Sequence, residues 1–207
     1  MRLTACSSLG TPFGAPAPVP GFASRVATLR ERSDIGCLLV GSALDASRVA
    51  SAAADAVGVD LPIAAGAVAV GEGRLALWLS PRSWLVHCPL DEEFALVARV
   101  NAAFPDKTVN AAHFTDYLCW LELRGEGAED LLRQGGFLSL ARDGLPVGHA
   151  KRTLIADVAA VVIRPSRTEW LVGIERSRSA YFSSWLASCA RTETESEAES
   201  EASSASR

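Results

Sequence analysis

Apolar residues in the middle of the chain fall into two patterns: unbroken runs, and spaced sets that recur at helical intervals. The run IGCLLVG (35–41) predicts a buried strand. Residues 45–57 predict a helix opened by Asp45 and stopped by Gly58, since glycine accepts the left-handed conformation that ends helices. Residues 63–70 and 75–79 read as strands, and Trp84 to Cys88 as another after a turn at Ser80-Pro81-Arg82-Ser83. A helix from about Asp91 to Phe104 follows, with Phe94, Val97 and Ala98 on the face expected to pack.

The same order then returns. A strand over 117–124 (YLCWLELR), Gly125 and a helix over about 127–134 precede strands around 153–163 and 170–174 and a helix over 178–189. The local sequence repeats as well: LALWLSPRSWLV (75–86) lies over AVVIRPSRTEWLV (160–172), each an apolar strand, a Pro turn, then Trp-Leu-Val. LVG at 39–41 lies over LRG at 123–125, at nearly the offset that separates Trp84 from Trp170. A near-constant offset points to internal duplication. The halves, 35–107 and 108–190, each follow a ferredoxin-like βαββα pattern, so the fold class is α+β, with antiparallel sheets covered by helices. Trp84 and Trp170, at equivalent places, are expected to wedge into the core beside the turn.

The ends differ from this body. Residues 1–34 are a Pro-rich arm and lead-in. Pro12, Pro16, Pro18 and Pro20 among Gly10, Gly14 and Gly21 predict an extended arm without regular structure through residue 24, either loose or lying on a partner. Residues 191–207 are low-complexity and acidic and are expected to be disordered. That tail holds five Glu against two Arg, so of the net charge of −4 only −1 belongs to residues 1–190. A near-neutral body lacks the electrostatic footprint for a nucleic acid or an anionic membrane.

Cys6, Cys37, Cys88, Cys119 and Cys189 are widely spaced with no CxxC pair, which argues against a disulfide framework and a zinc site. The stretch LTAC ending at Cys6 mimics a lipoprotein box, but only Met1 and Arg2 precede it, leaving no apolar signal region. The longest mostly apolar run, Leu61 to Val70, is far below the roughly 20 residues that span a bilayer. These features predict a cytoplasmic protein that binds neither nucleic acid nor membrane.

A phosphate cradle needs GxxxxGK[ST] or GxGxxG between strand and helix, so that backbone N–H groups converge. Gly71-Glu72-Gly73 and Gly125-Glu126-Gly127 lack the third glycine and read as turns. His87 and Cys88 are adjacent on a predicted strand, so they point to opposite faces and cannot form a dyad; one core and one surface residue is the expectation. His113 and Asp116 in AAHFTDY (111–117) suit either mutual orientation for acid–base work or a loop histidine beside a capping aspartate. His149, Lys151 and Arg152 in GLPVGHAKR (144–152) form a cationic loop cluster suited to a carboxylate or an acidic partner, or to plain solvation. No carboxylate pair or His/Asp/Glu set has the spacing of glycoside hydrolysis or metal ligation. No residue is assigned a catalytic, cofactor-binding or metal-binding role.

Four segments in order, RLALWLSPRSWLVHCP (74–89), LCWLELRGEGAEDLLRQGG (118–136), GLPVGHAKRTLIADVAAVVI (144–163) and WLVGIERSRSAYFSSWLA (170–187), resemble the gamma subunit of heterotetrameric sarcosine oxidase. The likeness spans about residues 35–190. Its carriers are the ALWL-P-xx-WL turn, the strand-Gly-xx-A-xx-LL segment, the stretch ending at Thr153, and the final helix with Tyr181, Phe182 and Trp185. The resemblance implies a fold related to the folate-binding aminomethyltransferase of glycine cleavage. It also implies alpha, beta and delta partner subunits, which would carry FAD, FMN, NAD, tetrahydrofolate and zinc, while the gamma subunit holds no cofactor. Such an assembly demethylates sarcosine oxidatively to glycine, with hydrogen peroxide and methylene-tetrahydrofolate as products. The sequence departs from the family at GGFLSLAR (135–142) and VNAAHFTD (109–116), which leaves open whether the amine is sarcosine or another N-methyl amino acid. The alternative is a stand-alone folate-binding transferase of the same fold; aminomethyltransferases are much longer chains, and their repair-type relatives carry a Lys-Gly-Cys-Tyr-x-Gly-Gln segment absent here.

Overall fold

The computed structural model describes residues 6–11, 13–20, 22, 24–136 and 144–205, with side chains as far as Thr192. The N-terminal stretch supplies β1 (Pro16–Pro18) and β2 (Thr28–Arg32). Then come β3 (Ile35–Ser42), α1 (Ala46–Val57), β4 (Val68–Gly71), β5 (Arg74–Ser80), β6 (Ser83–Pro89), α2 (Glu93–Ala103) and β7 (Val109–His113). They are followed by β8 (Leu118–Arg124), α3 (Ala128–Gln134), β9 (His149–Ile155), β10 (Val158–Ser166), β11 (Glu169–Glu175) and α4 (Ser179–Ala205). Short 3-10 turns, Leu90–Glu92 and Arg176–Arg178, lead into α2 and α4.

The strands form two antiparallel sheets, ordered β4-β5-β6-β3-β7 and β1-β2-β8-β11-β10-β9. Read from its other edge, the second sheet runs β9-β10-β11-β8-β2, which matches the first position for position. The duplication is therefore present in space, with Trp84 on β6 and Trp170 on β11, both fully buried. The fifth strand of each sheet has a different origin: β7 follows α2, whereas β2 comes from the N-terminal arm.

Strand alternation sorts the side chains into three layers. On β3 and β6, Leu38, Val40, Trp84 and Val86 face α1 and α2. On β8 and β11, Leu121, Leu123, Trp170 and Val172 face α3 and α4. Cys37, Leu77, Leu85, Trp120, Ile163 and Leu171 meet between the sheets. Because both sheet faces are covered, the central strands are continuously apolar rather than alternating, and this is why they read as buried runs. Gly173 lies opposite Trp120 across the strand pair, and a Cβ there would stand 2.6 Å from the indole. At α1, Gly58 takes φ 80° and donates its N–H to the Ala54 carbonyl, while Asp45 leaves its cap unmade and pairs instead with Arg82 at 3.0 Å.

Several expectations are corrected. Among the described residues the arm carries regular structure: β1 pairs antiparallel with β2, and proline is tolerated in β1 because an edge strand need donate no ladder N–H on its outer side. The boundary at 107/108 precedes β7, yet β7 pairs with β3 in the first sheet. The strand expected over 63–70 begins only at Val68, and that over 153–163 is a hairpin, β9 and β10, turned by Ala156 and Asp157 at positive φ. On α2 the buried stripe is Glu93, Leu96, Val97 and Val100, leaving Phe94 74% exposed. Apolar residues at 94, 96, 97, 98 and 100 allow either stripe. The last helix runs on to Ala205, through the stretch expected to be disordered, where Ala, Glu and Ser offer no Gly or Pro to stop it.

Candidate functional site

Several of the charged residues that leave solvent lie around the end of β2. Arg32, at the end of β2, grips Asp34 with two parallel hydrogen bonds, Nε to Oδ1 at 2.8 Å and Nη2 to Oδ2 at 2.9 Å. Its Nη1 reaches Glu122 of β8 at 2.8 Å, a carboxylate only 4% exposed. Burial works to raise the Asp34 carboxyl, but the bidentate Arg32 outweighs it and holds the group below the usual carboxylate range. Arg32 and Asp34 line an open cleft of about 830 Å³ together with Arg74, His87 and Cys88.

His87 lies on β6 between the two sheets, its ring edge-on to Trp120 with centroids 4.2 Å apart. Burial, with the Arg32 charge adding, pushes its imidazole down to about 3, so it is neutral at physiological pH. Its Nε2 has no hydrogen-bond partner among the described residues. Cys88 points to the helix-facing side, so the two cannot pair, as their adjacency requires; both are buried, however, and the expected surface residue is missing. Burial and neighbouring Glu93 push the Cys88 thiol up to about 12, burial raises Cys119 to about 12, and buried Cys37 lies well above its ordinary value. A neutral, weakly basic histidine and three protonated thiols provide no activated nucleophile–base pair.

The other candidates separate. His113 ends β7 with Nδ1 at 3.3 Å from Glu93 Oε1 and its ring stacked on Phe94, while Asp116 turns to Arg176 at 2.9 Å. The two do not orient one another. His149, Lys151 and Arg152 stand on β9 rather than in a loop, and the His149 Nδ1 bonds the Val147 carbonyl at 3.1 Å. Gly71-Glu72-Gly73 turns the β4–β5 hairpin. Gly125-Glu126-Gly127 joins β8 to α3 where the incoming N-terminal chain crosses, and a Cβ on Gly125 would stand 2.3 Å from the Val26 carbonyl oxygen. Of GGFLSLAR (135–142), the part from residue 137 onward lies outside the described residues.

Sequence reasoning missed two features. Glu31, 2% exposed, accepts hydrogen bonds from the Ser7 hydroxyl at 2.7 Å and the Thr11 hydroxyl at 2.5 Å, fastening the arm to the body. The only sequence signal is an acid in the short stretch between the arm and β3. The second is an aromatic groove of about 730 Å³ beside β7, where AAHFTDY meets Phe94 of α2. Among the described residues no group of three or more His, Cys, Asp or Glu is placed to hold a metal ion, and no helix is long and apolar enough to cross a membrane.

Among curated proteins none matches the chain. Among solved structures, one chain of the heterotetrameric sarcosine oxidase from Corynebacterium sp. U-96, in complex with pyrrole 2-carboxylate, aligns at a TM-score of 0.73 and 26% identity, over 82% of this chain and 86% of that one. The glycine cleavage system aminomethyltransferase T from Bartonella henselae aligns at 0.60 and 12% identity, over 89% of this chain but 53% of its own, a likeness of fold. It bears out the aminomethyltransferase-like architecture expected from the sequence. Residues 40–192 match the sarcosine oxidase, gamma subunit family. With that match covering most of the body and both halves of the duplication, the chain belongs to the sarcosine oxidase gamma subunit family.

Proposed function

We propose that this chain is the non-catalytic gamma subunit of a flavin-dependent heterotetrameric sarcosine oxidase. The assembly demethylates sarcosine, or a related N-methyl amino acid, to glycine in the cytoplasm, with hydrogen peroxide and methylene-tetrahydrofolate as products. Alpha, beta and delta subunits carry FAD, FMN, NAD, the folate site and zinc. The observation that carries this reading is the alignment over 86% of one chain of a heterotetrameric sarcosine oxidase, a match of subunit size as well as fold. The site chemistry agrees with it, since His87 is held neutral and the buried thiols are held protonated.

The test is to isolate the chain from its native host, measure the molar mass of the species that contains it, and record its visible spectrum. A heteromer with flavin absorbance is the expected result. A colourless species containing only this chain would overturn the reading, and folate titration would then examine the transferase alternative.

A further inference from the structure

β9 (His149–Ile155) is an edge strand of the second sheet, paired with β10. The Ala150 N–H donates to the Gly66 carbonyl at 2.9 Å, so it points away from β10. Strand alternation then turns the main-chain N–H and C=O of Arg152 and Leu154 to the same outer edge. Gly66 and Ala67 occupy that edge only beside Ala150 and His149, because Val68 turns off to pair with Leu77 of β5. Among the described residues nothing pairs with the outer groups of Arg152 and Leu154.

The side chains along this edge are cationic and apolar, and the chain itself leaves them unanswered. Lys151 and Arg152 are exposed, and across the strand pair they face Val162 and Val161, so no acidic residue stands opposite them. Neither has an ion pair or a side-chain hydrogen bond among the described residues. Leu154 is 60% exposed, and Val147, just before β9, 51%. A groove of about 430 Å³ is lined by Trp78, Leu79, Leu145 and Pro146 together with Lys151 and Arg152, which gives an apolar side chain a seat beside the two cations.

Open main-chain groups spaced along an edge are met by an extended backbone, and free cations beside them set the charge of that backbone's side chains. A second copy of this chain pairing across a two-fold axis would bring the same cations against one another, which is destabilising. The chain's own acidic stretch lies in α4, which runs to Ala205 with its backbone groups spent within the helix. An acidic extended segment of a different chain meets both conditions. We propose that β9 accepts, as an added strand, an extended segment of a partner subunit that carries an acidic residue for Arg152 and an apolar one for Leu154. The inference rests on the subunit reading above and names a surface through which that subunit is held.

The test uses the complete complex, formed by co-expression with its partner subunits, and reads the dissociation constant of this chain from the assembly at low and high salt. Leu154→Pro removes an N–H that bonds nothing in the isolated chain, and an edge strand tolerates proline at such a position. It is expected to raise that constant about ten-fold or more, and further than Leu154→Ala, which keeps the N–H. Arg152→Glu is expected to raise it as well, and Arg152→Gln to reduce its salt dependence. Thermal midpoints of the isolated variants close to the wild type would confirm intact folding. Wild-type binding by Leu154→Pro and Arg152→Glu would overturn the edge assignment alone; should the proline variant fail to fold, Arg152→Glu decides by itself. Equal effects of Leu154→Pro and Leu154→Ala would overturn the added strand. A wild-type chain that enters no heteromer would overturn it together with the subunit reading. Self-association of the isolated chain that Leu154→Pro abolishes would assign the edge to a second copy and overturn the partner proposal.

Discussion

His87 shows how a single residue in this chain depends on its surroundings. The ring is enclosed between two sheets, and its pKa falls from 6.5 to about 3 because burial disfavours the charged form. Above 6.5 both folded and unfolded chains carry a neutral ring. As pH falls below that value the unfolded chain takes up a proton that the native state refuses. Native stability then declines by up to about 1.4 kcal/mol per pH unit until the native pKa is reached. His87→Leu should therefore lose less stability than the wild type between about pH 7 and about pH 5 in chemical denaturation; equal losses would assign the acid sensitivity to other groups. From the sequence, His87 could be placed on a strand and kept apart from Cys88, because alternation follows from backbone geometry alone. Its protonation state could not, because that is set by Trp120 and Arg32, distant in sequence. The buried Glu31 was hidden for the same reason: its partners, Ser7 and Thr11, come from an arm expected to lack structure.

At the level of elements, the two termini have opposite weight. The arm places Val19, Ala27 and Leu29 in the core of the second half and pairs β2 with β8. Deleting residues 1–34 would expose the β8 edge, open that core and leave the buried Glu122 without Arg32. The truncated chain is expected to lose its cooperative unfolding transition. Deleting residues 191–207 leaves Phe182, Leu186 and Ala190 of α4 in place and is expected to keep the thermal midpoint within about 2 °C. Circular dichroism melts of the two truncations decide the matter, and a stable chain without the arm would refute its structural role. Most strands and helices were legible as apolar runs and helical periodicities. The arm was misread because proline content excludes a central strand but permits an edge, and composition does not say which of the two a segment will occupy. The phase of α2 was misread because its apolar residues are too many to define one stripe.

The whole molecule is a doubled unit whose surface is not finished. Phe94, Tyr117, Leu154 and Tyr181 are all more than half exposed, and apolar surface of this kind is covered in a working assembly or else drives aggregation. Made alone, the chain is expected to be poorly soluble, and co-expression with its partner subunits should recover it. A monodisperse, stable monomer in sedimentation would count against the subunit reading. At this scale the duplication was visible in advance, as paired Trp-Leu-Val turns at a near-constant offset. The way the copies share strands was not: β7 closes the first sheet from between the halves, and β2 closes the second from the N-terminus.

The amino-acid sequence by itself determined the class of the fold, its two-fold repeat and the family resemblance, because burial periodicity and turn chemistry are written locally in residue order. It also kept His87 and Cys88 on opposite faces. Only the tertiary structure decided which segment completes each sheet, which side of α2 meets the core, and which ionisable groups lose their water. Strand edges pair through backbone N–H and C=O groups that every residue but proline carries in full, so side-chain identity does not choose the partner. Desolvation, in turn, depends on every neighbour that packs around a group, and those neighbours come together only when the chain has folded.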